Sequence, residues 1–302
     1  MAARRVRDNG CVKLCALIQP CCYAPHICAM PWRCASPVIF SMVCASSGAS
    51  HPTESETAHP ERIIPAETPP GIVALHLKRY QFARKYIIGK HVLDVACGVG
   101  YGSLHLADVC RQVVGADIDW VAVDYARRRY GGRDNLDFVQ VDAMRTGFAE
   151  SRFDAVCSFE TIEHVYDAGM ILSEIKRVLK PEGVLIVSTP RAAHSNSRPA
   201  NPFHQQEWSP ADFKRLLSSF FHNVEIFGQF RRETGAARWL KRLDVLKVRS
   251  WLVPLWLTRQ AAKAAGVRTM ADLHMEDVFI RSGDLRRASE IVAVASDENY
   301  RI

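Results

Sequence analysis

Two groups of residues in this chain have the types and spacing to do chemistry. In the first, Glu160, Glu163 and His164 stand within Ser158-Phe-Glu-Thr-Ile-Glu-His-Val165. Positions i, i+3 and i+4 share one face if the segment is helical, so two carboxylates and an imidazole would converge. Such a group repels itself unless a cation joins it, and Mg²⁺ or Mn²⁺ suits mixed oxygen and nitrogen ligands. His204-Gln-Gln-Glu207-Trp208 offers a further imidazole downstream. One reading is a metal held by Glu160, Glu163, His164 and His204, with open positions to activate a substrate hydroxyl. The other leaves the metal out and makes His164 a plain general base or a packed loop histidine, with Glu163 beside it.

The second group is Val92-Leu-Asp94-Val-Ala96-Cys-Gly98-Val-Gly100-Tyr-Gly102-Ser103, an apolar strand running into a glycine turn that opens a helix. Glycines let the backbone approach a ligand closely, so a nucleotide-like molecule is expected. A dinucleotide fingerprint would place glycine where Ser103 stands. Asp94 would also repel a pyrophosphate, whereas it suits a cationic amino-acid ligand. NAD is disfavoured on both counts, and an aminoacyl nucleoside is favoured.

The elements that must position these groups are legible in the hydrophobic pattern. Helices at 73–86, 102–110, 121–130, 168–179 and 210–218 alternate with strands at 91–96, 112–117, 136–141, 153–158, 183–189, 224–227 and 290–295. This alternation predicts an α/β Rossmann-like fold with a mostly parallel, doubly wound sheet, which binds ligands at the carboxyl edge where strand order reverses. The interval between Phe227 and Glu290 is too long for a plain loop. Trp239, Leu240, Leu243 and Leu246 form an apolar stripe there, which predicts a helical insert at about 229–289 before the last strand. Residues 231–268 hold ten Lys/Arg against two acids, so the insert reads either as a cap over the site or as a basic surface resting on an anionic membrane or polymer.

Composition bounds the rest. Among 302 residues, 48% are hydrophobic, ample for a core, and the net charge of +7 is largely that of the basic segment. No apolar run has the roughly 18 to 20 residues needed to span a bilayer, so a cytoplasmic protein, at most peripheral to the inner face of the membrane, is expected. Seven of ten cysteines fall between Cys11 and Cys44 without a C-x-x-C pair, poor material for zinc. Residues 1–60 lack periodicity and read as a disordered extension, leaving 61–302 as the folded domain.

The glycine stretch resembles motif I of the class I S-adenosylmethionine (SAM)-dependent methyltransferases, and the resemblance continues over about residues 60 to 230. It implies SAM as cofactor. Asp117 with Ile118 matches the family position whose carboxylate takes both ribose hydroxyls, a vicinal diol suited to bidentate acceptance. Asp142 and Ala143 match the residues at the adenine edge, and Phe159 would stack near adenine. Ala96, Gly98 and Gly100 line the turn, and Arg79, in His76-Leu-Lys-Arg-Tyr80, lies on a helix that closes over the cofactor in related enzymes, in reach of the methionine carboxylate. The E-x-x-E-H and H-x-x-E-W patterns resemble metal-dependent O-methyltransferases of ubiquinone synthesis and of small-RNA 3′ ends. The whole run also resembles a bacterial methyltransferase group associated with surface-glycan assembly. The acceptor implied is a sugar hydroxyl on a glycan or glycolipid. An RNA 2′-hydroxyl is an alternative, and a non-catalytic SAM-binding module docking a partner is another.

Overall fold

The computed structural model describes residues 61–232 and 272–298. The expected N-terminal extension at 1–60 and most of the basic insert, 233–271, lie outside the described residues. The chain divides into a small unit, Met1–Arg62 with Gly147–Ala149, and a large one, Ile63–Thr146 with Glu150–Ile302, which carries the sheet.

In the large unit, α1 (Pro70–Ile87) is followed by β1 (His91–Val95), α2 (Tyr101–Ala107), β2 (Gln112–Asp117), α3 (Trp120–Tyr130), β3 (Leu136–Gln140) and β4 (Phe153–Phe159). A 3₁₀ turn at Ile162–His164 leads to α4 (Ala168–Val178), β5 (Leu179–Pro190), α5 (Pro210–Ser218) and β6 (Asn223–Arg231). A second 3₁₀ turn, Met275–Asp277, precedes β7 (Val278–Arg281) and β8 (Glu290–Ser296). The sheet order is β3-β2-β1-β4-β5-β8-β6-β7. Strands β1 to β5 pair in parallel, while β8 is antiparallel to both β5 and β6. This is the mostly parallel Rossmann-like α/β architecture that the sequence predicts.

Central strands covered on both faces need apolar side chains throughout. Val92, Leu93 and Val95 of β1, and Val184 to Val187 of β5, are accordingly buried. Helix α4 shows how a surface helix joins them: Ile171, Leu172, Ile175 and Val178 form its buried stripe. Burying each large aliphatic side chain contributes about 1.5–3 kcal/mol. The Asp167 side chain caps the helix by accepting from the backbone N–H groups of Gly169 and Met170, worth about 1 kcal/mol.

The structure corrects three expectations. The interval at 229–289 is not wholly a helical insert: β6 runs on to Arg231, and β7 pairs with it antiparallel from Val278 to Arg281. This four-residue strand covers the outer edge of β6 and stacks Phe279 on Phe230 at 5.5 Å, a pairing that no local period announces. Strand β5 begins at Leu179, where the sequence suggests a helix end, because Leu179 pairs with Phe153 before a register shift. Pairing then resumes at Ala155–Val184, with the Lys180-Pro-Glu-Gly183 stretch bulged between. Finally, the Glu160 to His164 segment is not an α-helix, since only Ile162–His164 make a single 3₁₀ turn.

Candidate functional site

Strand order reverses between β1 and β4, and the backbone there is under strain. Among the described residues only Ala96, Ser151 and Glu160 have positive φ without being glycine. Ala96 (φ 56°) directly follows β1 and Glu160 (φ 51°) directly follows β4. Conformations of this kind cost about 1–3 kcal/mol each and gather where a site demands them.

The turn after β1 is shaped by close packing. Gly100 (φ 82°) would drive a Cβ to 2.6 Å from the Phe138 ring, and a Cβ on Gly102 would fall 1.9 Å from Tyr80 Cζ. Gly98, also left-handed at φ 56°, donates its N–H to Asp117 Oδ2 at 2.8 Å. Asp117 Oδ1 accepts from the Asp119 N–H at 2.9 Å. Each oxygen of Asp117 retains a second lone pair, so the pinned carboxylate can still take two hydroxyl donors. Beside it Ile118 is 66% exposed, an apolar side chain held open next to that carboxylate. Asp142 is exposed after β3, folded into a turn by accepting from the Met144 N–H, and Ala143 is half-buried next to it.

Asp94 is placed differently from the expectation. It is fully buried, with Oδ2 accepting from Ser103 Oγ at 2.6 Å and Oδ1 facing the Tyr80 hydroxyl at 3.4 Å. Burial lifts its pKa to about 7 against these hydrogen bonds, with the Asp117 charge adding to the rise. Its carboxylate therefore ties β1 to α1 and α2 instead of presenting itself to a ligand. Ser103, which the sequence offers only as a missing glycine, is the residue that holds it. Phe159 is likewise buried, edge-on against Tyr80 at 4.8 Å. It sits on β4, two strands from β2 and the Asp117 end of the sheet.

Arg79, expected from the resemblance to lie in reach of the methionine carboxylate, is buried to 1% exposure. Its Nη1 lies 4.0 Å from Glu160 Oε1 and 4.0 Å from Glu290 Oε2. Nε and Nη2, the edge of a guanidinium that receives a carboxylate side-on, have no hydrogen-bond partner among the described residues.

The acid–histidine group assembles in part. Glu160 Oε1 accepts from Ser188 Oγ at 2.7 Å and faces Arg79, so its carboxylate is committed away from the histidines. Glu163 is fully buried, with Oε2 accepting from Thr189 Oγ1 at 3.0 Å and Oε1 without a hydrogen bond. Burial raises the Glu163 pKa well above the usual carboxylate range, and the Glu160 charge adds to it. The Glu163 Oε1 atom lies 4.0 Å from His164 Nε2. His164 Nδ1 is 3.0 Å from the Phe203 carbonyl, which can only accept, so Nδ1 carries a proton.

His204 stands against His164, ring centroids 5.0 Å apart, with a nitrogen of each ring within 4.8 Å of the other's. Its Nδ1 bonds Glu207 Oε1 at 2.8 Å and its Nε2 meets Asn201 Nδ2 at 2.9 Å. Trp208 is buried against Phe213. Backbone N–H donation from Gln205 to the Glu163 carbonyl at 2.7 Å fastens the two histidine segments together. Ser188, Thr189, Asn201 and Phe203, none of them a candidate site residue from the sequence, supply these positioning contacts.

Comparison with known proteins places the chain in a family. Residues 93–187 match the family model described as "Methyltransferase domain". A protein of Mycobacterium tuberculosis described as a "Probable S-adenosylmethionine-dependent methyltransferase" is 30% identical over 276 residues, covering 82% of this chain and 95% of its own. A Mycolicibacterium smegmatis protein of like description is 38% identical over 149 residues, and there the match spans 48% of this chain and only 57% of that relative's length. Among solved structures, a SAM-dependent methyltransferase of Thermotoga maritima superposes with a TM-score of 0.51 at 13% identity, covering 75% of this chain and 93% of that one. The relationship over 82% of the chain, with the shared fold, establishes that this chain belongs to the class I SAM-dependent methyltransferases.

Proposed function

We propose that the enzyme transfers the SAM methyl group to a hydroxyl oxygen, with His164 as the proton acceptor and a sugar of a glycan or glycolipid as the acceptor molecule. The observation that carries this reading is the placement of His164, with Nδ1 donating to the Phe203 carbonyl and Nε2 turned toward the Glu163 carboxyl group. An alcohol must lose a proton as its oxygen attacks the sulfonium methyl, whereas the leaving S-adenosylhomocysteine needs no assistance. Positioning and one base are therefore the two requirements.

In this account Asp117 takes the ribose hydroxyls, Ile118, Asp142 and Ala143 border the adenine, and Gly98 and Gly100 let the backbone approach the cofactor. The unpaired Nε and Nη2 of Arg79 suit the methionine carboxylate, because a side-on pair satisfies both at once. A divalent cation fits in part. Glu163, with its orphaned buried Oε1, and the neighbouring Nε2 of His164 could hold Mg²⁺ or Mn²⁺ in place of the base role of His164, while Glu160 is occupied elsewhere and both ring nitrogens of His204 are engaged, Nδ1 by Glu207 and Nε2 by Asn201. Such an ion would supply acidification of the acceptor hydroxyl. The basic composition of residues 231–268 suits an anionic polymer or membrane surface. No helix among the described residues is long and apolar enough to cross a membrane. An RNA 2′-hydroxyl is the competing acceptor, favoured by the His204–Glu207 contact of the H-x-x-E-W pattern.

The test is incubation with methyl-labelled SAM and a bacterial extract, followed by counting of glycan, lipid, RNA, protein and small-molecule fractions. Label recovered as an O-methyl sugar supports the reading. Label in RNA or as N-methyl groups overturns it.

A further inference from the structure

Asp94, Asp117 and Asp142 belong to β1, β2 and the end of β3, the half of the sheet assigned to the cofactor. Facing it across the switch point, the same sheet edge, formed by the carboxyl ends of β4, β5 and β6 and the amino end of β8, carries a second polar cluster of which the mechanism above uses only Arg79. Glu290 opens β8 in register with Pro190 of β5 and with Gln229 of β6. Gln229 Nε2 donates to Glu290 Oε2 at 2.8 Å, and Ser289 Oγ donates to the same oxygen. Arg79 Nη1 bridges this group to Glu160, 4.0 Å from each carboxylate.

One side chain in the cluster is incomplete. Gln229 is 0% exposed, yet its Oε1 has no hydrogen-bond partner. Leaving a buried amide oxygen unpaired is unfavourable, so the position calls for a donor that the described residues do not provide. The carboxylates of Glu160 and Glu290 remain partly open, at 20% and 14% exposure, and they too only accept. A complementary ligand must therefore donate hydrogen bonds. An ammonium group would meet the Arg79 guanidinium already lodged between the two acids, and an anion on the Nη1 side of Arg79, away from the Nε and Nη2 edge assigned to the methionine carboxylate, would meet the acids themselves. A neutral group with several hydroxyls meets neither objection.

We propose that Gln229, Glu290 and Glu160 form the subsite that holds the acceptor through its hydroxyl groups, shaped for a neutral polyol such as a sugar ring. The inference rests on the sugar-acceptor reading above. The test uses the glycolipid fraction of a bacterial extract as acceptor. Gln229→Met keeps the volume and removes the amide. The apparent KM for that fraction should rise about tenfold or more, while the SAM dissociation constant, read by calorimetry, stays within twofold. A thermal melt shows whether the variant is folded. If it is not, Gln229→Leu, which is close in size and likewise removes the amide, carries the same expectation. An unchanged acceptor KM, or a matching loss of SAM affinity, overturns the subsite. The wild-type labelling pattern separates this from failure of the underlying reading, since label absent from sugars sinks that reading before any variant is made.

Discussion

Asp94 provides a quantitative test of how the glycine turn is held. Its carboxyl group is sealed between Ser103 and Tyr80, and burial moves its pKa from 3.8 to about 7. The folded state thus binds a proton more tightly than the unfolded chain, so no penalty exists below about pH 4. The penalty grows as pH rises and is complete above about pH 7. At 1.36 kcal/mol per pKa unit the full cost is about 4 kcal/mol, of which about 2.5 kcal/mol accrues between pH 5 and 8. Asp94→Asn keeps an acceptor for Ser103 and cannot ionise. Urea unfolding of both proteins at pH 5 and pH 8 isolates the contribution, because Glu163 and Glu290, whose pKa values are also raised by burial, are common to the two. Wild type should lose about 2.5 kcal/mol more than the variant over that interval. Parallel pH dependence in the two proteins would refute the claim that this carboxyl group is desolvated and structural.

Three further outcomes follow from named contacts. Asp117→Ala removes the acceptor of the Gly98 and Asp119 N–H groups together with the proposed ribose ligand, and should weaken SAM binding at least tenfold by calorimetry. Gly102→Ala would place a methyl inside the Tyr80 ring, which Phe159 and Asp94 hold in position, and should lower stability by about 3 kcal/mol in urea unfolding. EDTA should slow methyl transfer and Mg²⁺ or Mn²⁺ restore it, as read in the labelling assay, with Glu163→Gln blunting the response to added metal.

The parts of this molecule that were legible in the sequence are those encoded locally. The apolar strand, the glycine turn and Asp117 at the end of the next strand lie within 26 residues, and alternation of strands and helices gives the sheet. What stayed hidden depends on distant partners. Nothing near Arg79 in the chain shows that Glu160 and Glu290, from β4 and β8, will enclose it. The i, i+3, i+4 spacing of Glu160, Glu163 and His164 suggests one helical face. The left-handed backbone at Glu160 breaks that face and turns its carboxylate to Ser188. Strand β7 was missed for a similar reason, since four residues acquire a strand's geometry only by pairing with β6.

The central claim is that His164, oriented by the Phe203 carbonyl, accepts the proton as an acceptor hydroxyl is methylated. Single-turnover transfer by His164→Gln, measured beside SAM affinity, tests it most directly. The account predicts that the rate falls about 10²- to 10⁴-fold while the SAM dissociation constant stays within twofold. Transfer at the wild-type rate in a folded His164→Gln protein would contradict it.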